Sequence, residues 1–372
     1  MKPRVLFVGR TRYRLPLNDT LTRKFEALRD VLELRVLAAR PAGAAPGDGE
    51  FVLVPPLRPS RLDGFLFYFT LPLRVARHLR AFRADAVIVE SPYEGFAVLI
   101  GRRLARSTAP LILEVHGDWR TAMRLYGIPA RRLLAPLADW VAATAVRRAD
   151  AVRPVSQGMA DIVRSVGKEP DEVFPAFIDI EPFTEPPIAP LPEQPRAIFI
   201  GVLELYKNID GLAEAWRMAA PRVPNAHFRL VGVGSRPDII EQLVADLPEQ
   251  TSWTPVLTTE EVSRALDEAS VLVLPSRSEG LGRVIVEALC RGRPVVASWS
   301  GSTPDVIQDG VNGILVHPED TKTIADVLVR VLSDRELVER MAAAARPSAE
   351  PFVATPGEYA RRVRSLVDKM VR

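Results

Sequence analysis

Short apolar runs alternate with amphipathic stretches along the first half of the chain. The apolar runs are rich in β-branched residues, which predicts buried parallel strands at residues 5–8, 86–90, 111–115 and 151–155. Between them, apolar residues recur at helical spacing and predict helices at residues 19–32, 96–106 and 132–148. Such repetition of strand and helix is typical of a doubly wound α/β domain.

A proline-rich segment at residues 181–195 interrupts this repetition. Its six prolines remove backbone donors and favour extended geometry, which excludes a central strand or a helix. Beyond it the pattern restarts, with predicted strands at 197–200, 227–231, 271–274 and 295–297 and predicted helices at 209–219, 238–245 and 283–291.

The pattern predicts two doubly wound, Rossmann-like α/β domains. The first covers residues 1–182 and the second residues 196–350, with a linker over 183–195 and, over 351–372, a last helix that crosses back to the first domain. In open parallel sheets the ligand-binding loops follow the carboxyl ends of the strands. We therefore expect the two domains to face a central crevice that receives loops from both.

Composition adds an expected compartment and a charge asymmetry to this picture. The chain of 372 residues has one cysteine, Cys290, so it has no internal disulfide framework. We find no signal peptide and no apolar stretch that could span a membrane, and we predict a cytoplasmic protein with at most peripheral membrane contact. Residues 1–180 carry 28 Lys and Arg against 19 Asp and Glu, a net +9, whereas the remainder carries 21 against 27, a net −6. The arginine excess suits phosphorylated ligands or anionic lipid, but a base-rich genome also inflates arginine.

Residues 271–297 carry the clearest chemistry of the chain. They read as a strand, a glycine-bearing loop, a helix and a second strand. Gly280 and Gly282 allow close approach of a ligand to the backbone, directly before a helix whose first amides have no partners within the helix. The positive end of the helix dipole would favour a phosphate there.

Glu287 stands out in the predicted helix because its neighbours are apolar. Val284, Ile285, Val286 and Leu289 are spread around the helical wheel, so we expect the helix to be buried on all sides. A buried carboxylate needs hydrogen-bond donors, which two sugar hydroxyls would supply. An internal ion pair with an arginine is the alternative interpretation.

The spacing of Glu279 and Glu287, an E-x7-E in the setting S-E-G-L-G-R-V-I-V-E-A-L-C-R-G-R-P, resembles the signature of retaining GT-B glycosyltransferases of family four. That resemblance implies that Glu287 binds the ribose of a nucleoside diphosphate sugar and that Glu279 orients the transferred sugar. It also implies donor contacts from the loop formed by Gly280, Leu281, Gly282 and Arg283. The resemblance covers roughly residues 197–332.

Further matches extend the resemblance outside this helix. The segment F-I-G-V-L-E-L-Y-K-N places Gly201 beside the donor and makes Lys207 the counterpart of the family's diphosphate-binding lysine. In the first half, L-E-V-H-G-D-W makes His116 the candidate for the histidine near the transferred sugar, although a histidine after an apolar strand is often structural. Gly9 matches the family's glycine loop after the first strand, where Arg10, Arg12 and Arg14 add positive charge or form a solvated basic loop.

Three segments depart from the family pattern. Val202 stands where an arginine usually follows Gly201, so Lys207, Arg277 or Arg283 must supply the missing positive charge. The family's paired glycines and glutamate appear as G-S-T-P-D at residues 301–305, and its asparagine and glycine before the linker appear as P-A-F-I-D at residues 175–179. These departures leave the fold intact and affect donor affinity.

The resemblance implies a reaction that retains the anomeric configuration without a covalent glycosyl-enzyme. The leaving phosphate, held by Lys207 and the helix amides, would help to deprotonate the acceptor. The four histidines are scattered and no D-x-D metal motif is present, so we expect no metal and no cofactor besides the donor substrate. The expected donor is a UDP or GDP hexose, and the acceptor is a hydroxyl in lipid, polysaccharide or glycoconjugate synthesis.

Other interpretations of the whole chain and of one segment stay open. A non-catalytic GT-B relative that binds nucleotide sugar or a partner protein is the main alternative, whereas an oxidoreductase lacks the G-x-G-x-x-G that should follow the first strand. Nucleic acid is not an expected partner. Residues 63–83 combine aromatic residues with arginines at 74, 77, 80 and 83, which indicates either a peripheral membrane contact or an amphipathic helix that covers the sheet.

Overall fold

The structure is a computed structural model that describes residues 1–56, 63–125 and 133–371. The chain forms two compact units. Unit 1 comprises Met1–Asp179 and Ala354–Arg372, and unit 2 comprises Ile180–Val353. Each unit is built on one six-stranded parallel sheet covered by helices, because each strand is linked to the next through a crossover.

Unit 1 has the strand order β3-β2-β1-β4-β5-β6. The strands are β1 (Arg4–Arg12), β2 (Glu33–Ala39), β3 (Phe51–Val54), β4 (Ala86–Val89), β5 (Leu111–Val115) and β6 (Ala151–Pro154). The helices are α1 (Asp19–Val31), α2 (Asp63–Phe82), α3 (Pro92–Ala105), α4 (Trp119–Leu125), α5 (Ala135–Arg148), α6 (Gln157–Ser165) and α15 (Pro356–Val371). The order reverses between β1 and β4, which is where open α/β sheets bind ligands.

Two helical layers cover the sheet of unit 1. In one layer α3 packs against both α2 and α5, and elsewhere α1 packs against α15, the last helix of the chain. Phe25 of α1 lies edge-on to Tyr13 and Phe51, with ring centroids 5.7 and 4.9 Å away, and these rings anchor one part of the core. The helix predicted at the end of the chain therefore belongs to unit 1.

Unit 2 repeats the same topology, with the order β12-β11-β10-β7-β8-β9. Its strands are β7 (Arg196–Ile200), β8 (His227–Val231), β9 (Thr251–Thr254), β10 (Val271–Leu274), β11 (Val295–Ser298) and β12 (Gly313–Val316). Its helices are α7 (Glu181–Thr184), α8 (Ile209–Ala219), α9 (Pro237–Asp246), α10 (Thr259–Asp267), α11 (Arg283–Cys290), α12 (Thr303–Val306), α13 (Thr321–Ser333) and α14 (Arg335–Ala349). Here the order reverses between β7 and β10.

Two buried arginines anchor the proline-rich segment to unit 2, and its first residues form the short helix α7, contrary to the prediction, because a proline is tolerated in the first turn of a helix. Arg291 donates hydrogen bonds to the carbonyls of Pro186 and Pro187 at 2.8 and 2.7 Å, and its guanidinium pairs with Asp267. Arg293 donates to the carbonyls at positions 189 and 190. Because prolines keep their carbonyl acceptors but have no N–H donors, side-chain donors have to complete the hydrogen bonding of this segment.

The strands that the hydrophobic pattern predicts are all present, within a few residues at their ends. The pattern missed β2, β3, β9 and β12, which have polar residues within or beside their short apolar runs. Residue 132, the predicted start of the helix at 132–148, lies outside the described residues, and the observed helix α5 begins at Ala135. No helix in the described part of the chain is long and apolar enough to cross a membrane.

Candidate functional site

Lys207 and Glu279 form a buried ion pair at the point where the strand order of unit 2 reverses. Lys207 ends the short turn that follows β7, and Glu279 lies in the loop that follows β10. The Lys207 Nζ donates to Glu279 Oε1, which also accepts from Ser276 Oγ at 2.7 Å. Both side chains are mostly buried, 13% and 7% exposed. The structure thus brings together two residues that the sequence placed 72 positions apart.

Arg277 connects the loops that follow β7 and β10 through hydrogen bonds. Its Nη1 donates to the Leu205 carbonyl and to Asp210 Oδ1, both at 2.7 Å, and its Nε donates to Glu319 Oε1 at 2.7 Å. The sequence offered Arg277 as a replacement for the phosphate-binding cation that is absent at Val202. That assignment is not supported, because the guanidinium of Arg277 is engaged by two carboxylates.

Three glycines allow other loops to approach this pair. A Cβ on Gly301 would lie 1.8 Å from the Glu279 carbonyl oxygen, and Gly301 also has a φ of 53°. Cβ atoms on Gly232 and Gly234 would lie 1.8 Å from the Gly201 carbonyl and 2.3 Å from the Leu203 carbonyl. The glycines after β8 therefore shape the loop that carries Lys207 by permitting backbone contact.

Helix α11 differs from the prediction that it is buried on all sides. Arg283 is exposed and Val284 and Glu287 are half-buried, whereas Ile285, Val286 and the rest of the helix are buried. Residues 283, 284 and 287 lie on one face because they are three or four positions apart. The error arose because a short helix with one open face shows few polar positions. Glu287 is therefore accessible to a ligand from that face.

Helix α11 begins directly after the glycine loop, in the order that the sequence predicted. Gly282 is the residue before the helix and has a φ of 63°, in the left-handed region. Its carbonyl accepts from Ile285 N at 2.8 Å, and Leu281 is buried beside it. The early amides of α11 thus begin directly after the loop that carries Glu279.

Two hydroxyl groups beside Gly301 were not among the candidate site residues that the sequence indicated. Ser302 Oγ and Thr303 Oγ1 are fully buried, and neither has a hydrogen-bond partner among the described residues. Buried polar groups are normally paired, so these two unsatisfied hydroxyls beside the Glu279 loop are exceptions to that rule. The sequence signal was present in G-S-T-P-D, but it was treated only as a departure from the family pattern.

Gly9 lies inside β1 rather than in a loop after it. The strand continues to Arg12, and its register against β2 becomes irregular after Val8. A Cβ on Gly9 would lie 2.5 Å from Glu90 Oε2 at the end of β4. Arg10 and Arg12 approach Asp63 with N–O distances of 3.3 and 3.8 Å, so they do not form a wholly solvated basic loop.

Glu94 lies at the switch point of unit 1, where the strand order reverses between β1 and β4. The sequence analysis did not include it among the candidate site residues. Its carboxylate accepts from Tyr68 Oη at 3.0 Å, from Arg10 N at 3.1 Å and from Ser91 Oγ. Burial raises the pKa of Glu94, against the lowering effect of these hydrogen bonds. The segment E-S-P-Y-E after β4 carried the signal, since two carboxylates follow an apolar strand.

His116 follows β5 and is held by a carboxylate on that strand. Its Nε2 lies 2.9 Å from Glu114 Oε2, and Glu114 also pairs with Arg153, directly opposite on β6. Burial would raise the pKa of Glu114, but Arg153 and then His116 outweigh it and hold this pKa well below its ordinary range. An ionised carboxylate only accepts, so Nε2 of this partly exposed ring donates to Glu114.

The two switch points offer different chemistry. Unit 2 presents an ammonium group and the first amides of a helix, which suit an anion, together with a half-buried carboxylate, which suits hydroxyl donors. Unit 1 presents a partly exposed imidazole and buried carboxylates. Among the described residues, no group of three or more His, Cys, Asp or Glu is arranged to hold a metal ion.

Two Rossmann-like units of this topology define the GT-B class of α/β proteins, and comparison with solved structures agrees. Sucrose-phosphate synthase from Thermosynechococcus elongatus superposes with a TM-score of 0.78 at 19% identity, over 99% of this chain and 100% of that one. HepE from Anabaena, solved with UDP-glucose, gives a TM-score of 0.69 at 18% identity, over 98% and 100% of the two chains.

The sequence comparisons identify the family. The profile described as "Glycosyl transferases group 1" matches residues 183–347, and the "Glycosyl transferase 4-like domain" matches residues 19–175. The alpha-D-kanosaminyltransferase of Streptomyces kanamyceticus is 30% identical over 266 residues, which are 67% of this chain and 68% of the relative. The chain spans 31% and 35% of the length of two further curated relatives. This protein belongs to the group 1 glycosyltransferases.

The close approach of Gly301 to Glu279 yields a prediction with a matched control. Gly301→Ala would force the Glu279 loop to move, and we expect activity, measured as transfer or hydrolysis of the sugar donor, to fall by about 100-fold. Gly310→Ala is the control, because Gly310 also has a positive φ but open space around its Cβ position. Both variants should lose stability through the positive φ, and Gly301→Ala should lose more, because only its Cβ meets a backbone carbonyl. Equal activity of the two variants would contradict the structural role of Gly301.

Proposed function

We propose that this glycosyltransferase moves a hexose from a UDP or GDP sugar to a hydroxyl acceptor, with retention of configuration and without a metal. The observation that supports this most is the buried Lys207–Glu279 pair beside the start of α11. It combines a cation for a leaving diphosphate with a carboxylate for sugar hydroxyls. As in the family-four enzymes that the chain resembles, the acceptor would serve lipid, polysaccharide or glycoconjugate synthesis.

The donor diphosphate would bind between Lys207 and the first amides of α11. Breaking the bond between sugar and phosphate develops negative charge on the leaving group, and fixed donors stabilise that charge most in the transition state. Gly201, Gly280 and Gly282 keep the backbone accessible, while Arg283, exposed at the first position of the helix, provides the further cation that Val202 does not. No metal is required for this stabilisation.

Glu287 would bind the ribose of the donor. It lies one turn into α11, on the half-open face that it shares with Arg283. The two oxygens of a carboxylate can accept hydrogen bonds from two neighbouring hydroxyls, which is the arrangement that a ribose offers. This contact exists before and after the reaction, so it contributes to binding rather than to the chemical step.

Glu279 is better suited to orient the sugar than to attack it. Its Oε1 already accepts from Lys207 and Ser276, and a carboxylate that is paired with an ammonium group is a weakened nucleophile. Departure and attack on the same face of the sugar would preserve the configuration, with the leaving phosphate receiving the acceptor proton. As the resemblance to the family implies, His116 would bind a hydroxyl of the transferred sugar.

The names of similar proteins support this donor class. HepE was solved with UDP-glucose bound, and the kanosaminyltransferase is named for transfer of an amino sugar. These are properties of those proteins, and they make UDP sugars the first donors to test.

A donor screen tests the proposed function. We expect one UDP or GDP hexose to raise the thermal midpoint of the protein, since a ligand that binds the folded state stabilises it. With that donor and a panel of alcohol acceptors, NMR of the product should show the same anomeric configuration as the donor, at an undiminished rate in EDTA. Inversion would contradict the proposed mechanism, and binding without transfer or hydrolysis would favour the non-catalytic alternative.

Glu287→Gln should separate donor binding from turnover. Loss of the ribose contact should weaken nucleoside diphosphate binding by about 10- to 100-fold, because hydrogen bonds to charged groups contribute about 1.5–3 kcal/mol. The kcat at saturating donor should change by less than about threefold. Calorimetry and steady-state kinetics measure the two effects, with the exposed Glu241→Gln as control. A fall in kcat at unchanged affinity would show that Glu287 acts in the chemical step.

A further inference from the structure

The outer faces of α2, α3 and α5 share one arrangement of side chains. On α2, residues 65, 69, 73, 77 and 80 form an exposed stripe that is apolar in its first half and basic in its second: Phe65, Phe69, Leu73, Arg77 and Arg80. The spacing of three or four residues places them on one face. The inner face of the same helix is buried, so α2 covers the sheet and also presents apolar residues outward.

The two neighbouring helices repeat this order. On α3, the half-buried Phe96 and Ile100 precede the exposed Arg103. On α5, the exposed side chains begin just before the helix at Leu133, continue through Leu137 and Trp140, and, beyond the buried Thr144, end at Arg148. In each helix the apolar residues come first and arginine comes last. Since the three helices are connected between parallel strands, their first turns lie toward the same edge of the sheet.

Direct contacts join the three faces into one surface. The Phe96 and Trp140 rings pack with centroids 6.0 Å apart, which links α3 to α5. A shallow groove lined by Leu73, Arg77 and Leu104 links α2 to α3, and Arg80 donates to the Leu104 carbonyl across it. We call the apolar part, Phe65, Phe69, Leu73, Phe96, Leu133, Leu137 and Trp140, the apolar patch, and the arginines at 77, 80, 103 and 148 the arginine band.

The exposure of the apolar patch is unusual for a surface in contact with water only. Phe69 is 71% exposed, Leu133 84% and Trp140 57%. Single exposed apolar residues are ordinary, but a contiguous set of large ones marks an interaction surface.

The charge of this surface is almost entirely positive. The three helices contain three carboxylates, and each is occupied elsewhere: Asp63 by Arg10, Glu94 by Tyr68 and Ser91, and Asp139 by Arg124. No arginine of the arginine band forms an ion pair with any residue that the structure describes. Anionic groups of a partner would therefore meet uncompensated guanidinium groups.

We propose that the apolar patch and the arginine band together dock unit 1 onto an anionic membrane surface. Large apolar side chains enter the boundary between headgroups and acyl chains, while guanidinium groups bind lipid phosphates. A second copy of the chain fits less well, because a two-fold contact would bring the arginine band onto its own copy or onto the apolar patch, without carboxylates to neutralise it. The enzyme would then act at the lipid surface where a membrane-bound acceptor is located.

The structure also redefines the residues that make this contact. Of the four arginines that the sequence singled out, Arg74 is half-buried and its Nε donates to Thr70 at 3.3 Å. Arg83 follows the end of α2 with a φ of 51°. Only Arg77 and Arg80 continue the apolar stripe, and Arg103 and Arg148 come from helices that the sequence did not connect with α2.

Vesicle co-sedimentation with the full chain tests the proposal. We expect binding to vesicles of phosphatidylcholine with roughly one-third phosphatidylglycerol, weaker binding to pure phosphatidylcholine, and a loss of binding at high salt. Replacing Arg77, Arg80, Arg103 and Arg148 by Gln should lower the partition coefficient by at least about tenfold. Replacing Phe69 and Trp140 by Ser should lower it to a similar extent.

The control removes the same charge elsewhere. Arg264, Arg330, Arg340 and Arg361 are exposed and unpaired in the described structure, and their replacement by Gln should leave vesicle binding within about twofold of the wild type. All variants should keep the thermal midpoint and the donor-induced shift of the wild type, which separates membrane docking from donor binding. The proposal fails if the wild type does not bind anionic vesicles, or if both arginine variants bind equally. It also fails if the wild type forms a dimer that the Phe69 and Trp140 changes dissociate while vesicle binding is absent.

Discussion

The ion pair between Lys207 and Glu279 is the interaction on which the loops at the strand reversal of unit 2 depend. Removing two charges from water is costly unless each gains compensating partners, and removal of one partner leaves the other charge uncompensated. Ser276 supplies a second donor to Glu279, and Arg277 ties together the loops that carry the pair. Gly301 permits the next loop to pass directly over Glu279. Together these contacts hold Lys207 and Glu279 next to each other.

Unit 1 follows a related principle with different residues. Glu114 is fixed by Arg153, its cross-strand neighbour, and in turn fixes the imidazole of His116. In both units the charged groups follow or end parallel strands, where the backbone of the sheet no longer pairs and side chains become free for ligands. Each switch point therefore has a charged centre whose partners come from distant parts of the sequence.

The sequence predicted those parts of the molecule that depend on local pattern. Buried strands appear as apolar runs, and the predicted order of strand, glycine loop and helix around Glu279 and Glu287 is the observed one. What it could not predict depends on partners far apart in the chain. The sequence offers Arg277 as a phosphate ligand, but in the fold Asp210 and Glu319 engage its guanidinium group. The open face of α11, which leaves Glu287 accessible, depends on which helices pack against it, and no helical wheel contains that information.

A crystal structure with the nucleoside diphosphate that most stabilises the protein tests the central claim most directly. The account predicts the diphosphate at Lys207 Nζ and the first amides of α11, with both ribose hydroxyls donating to Glu287. Lys207 should then contact phosphate oxygen, and Glu279 should face the position of the transferred sugar. A nucleotide bound away from Lys207, or a ribose that does not touch Glu287, would contradict the account.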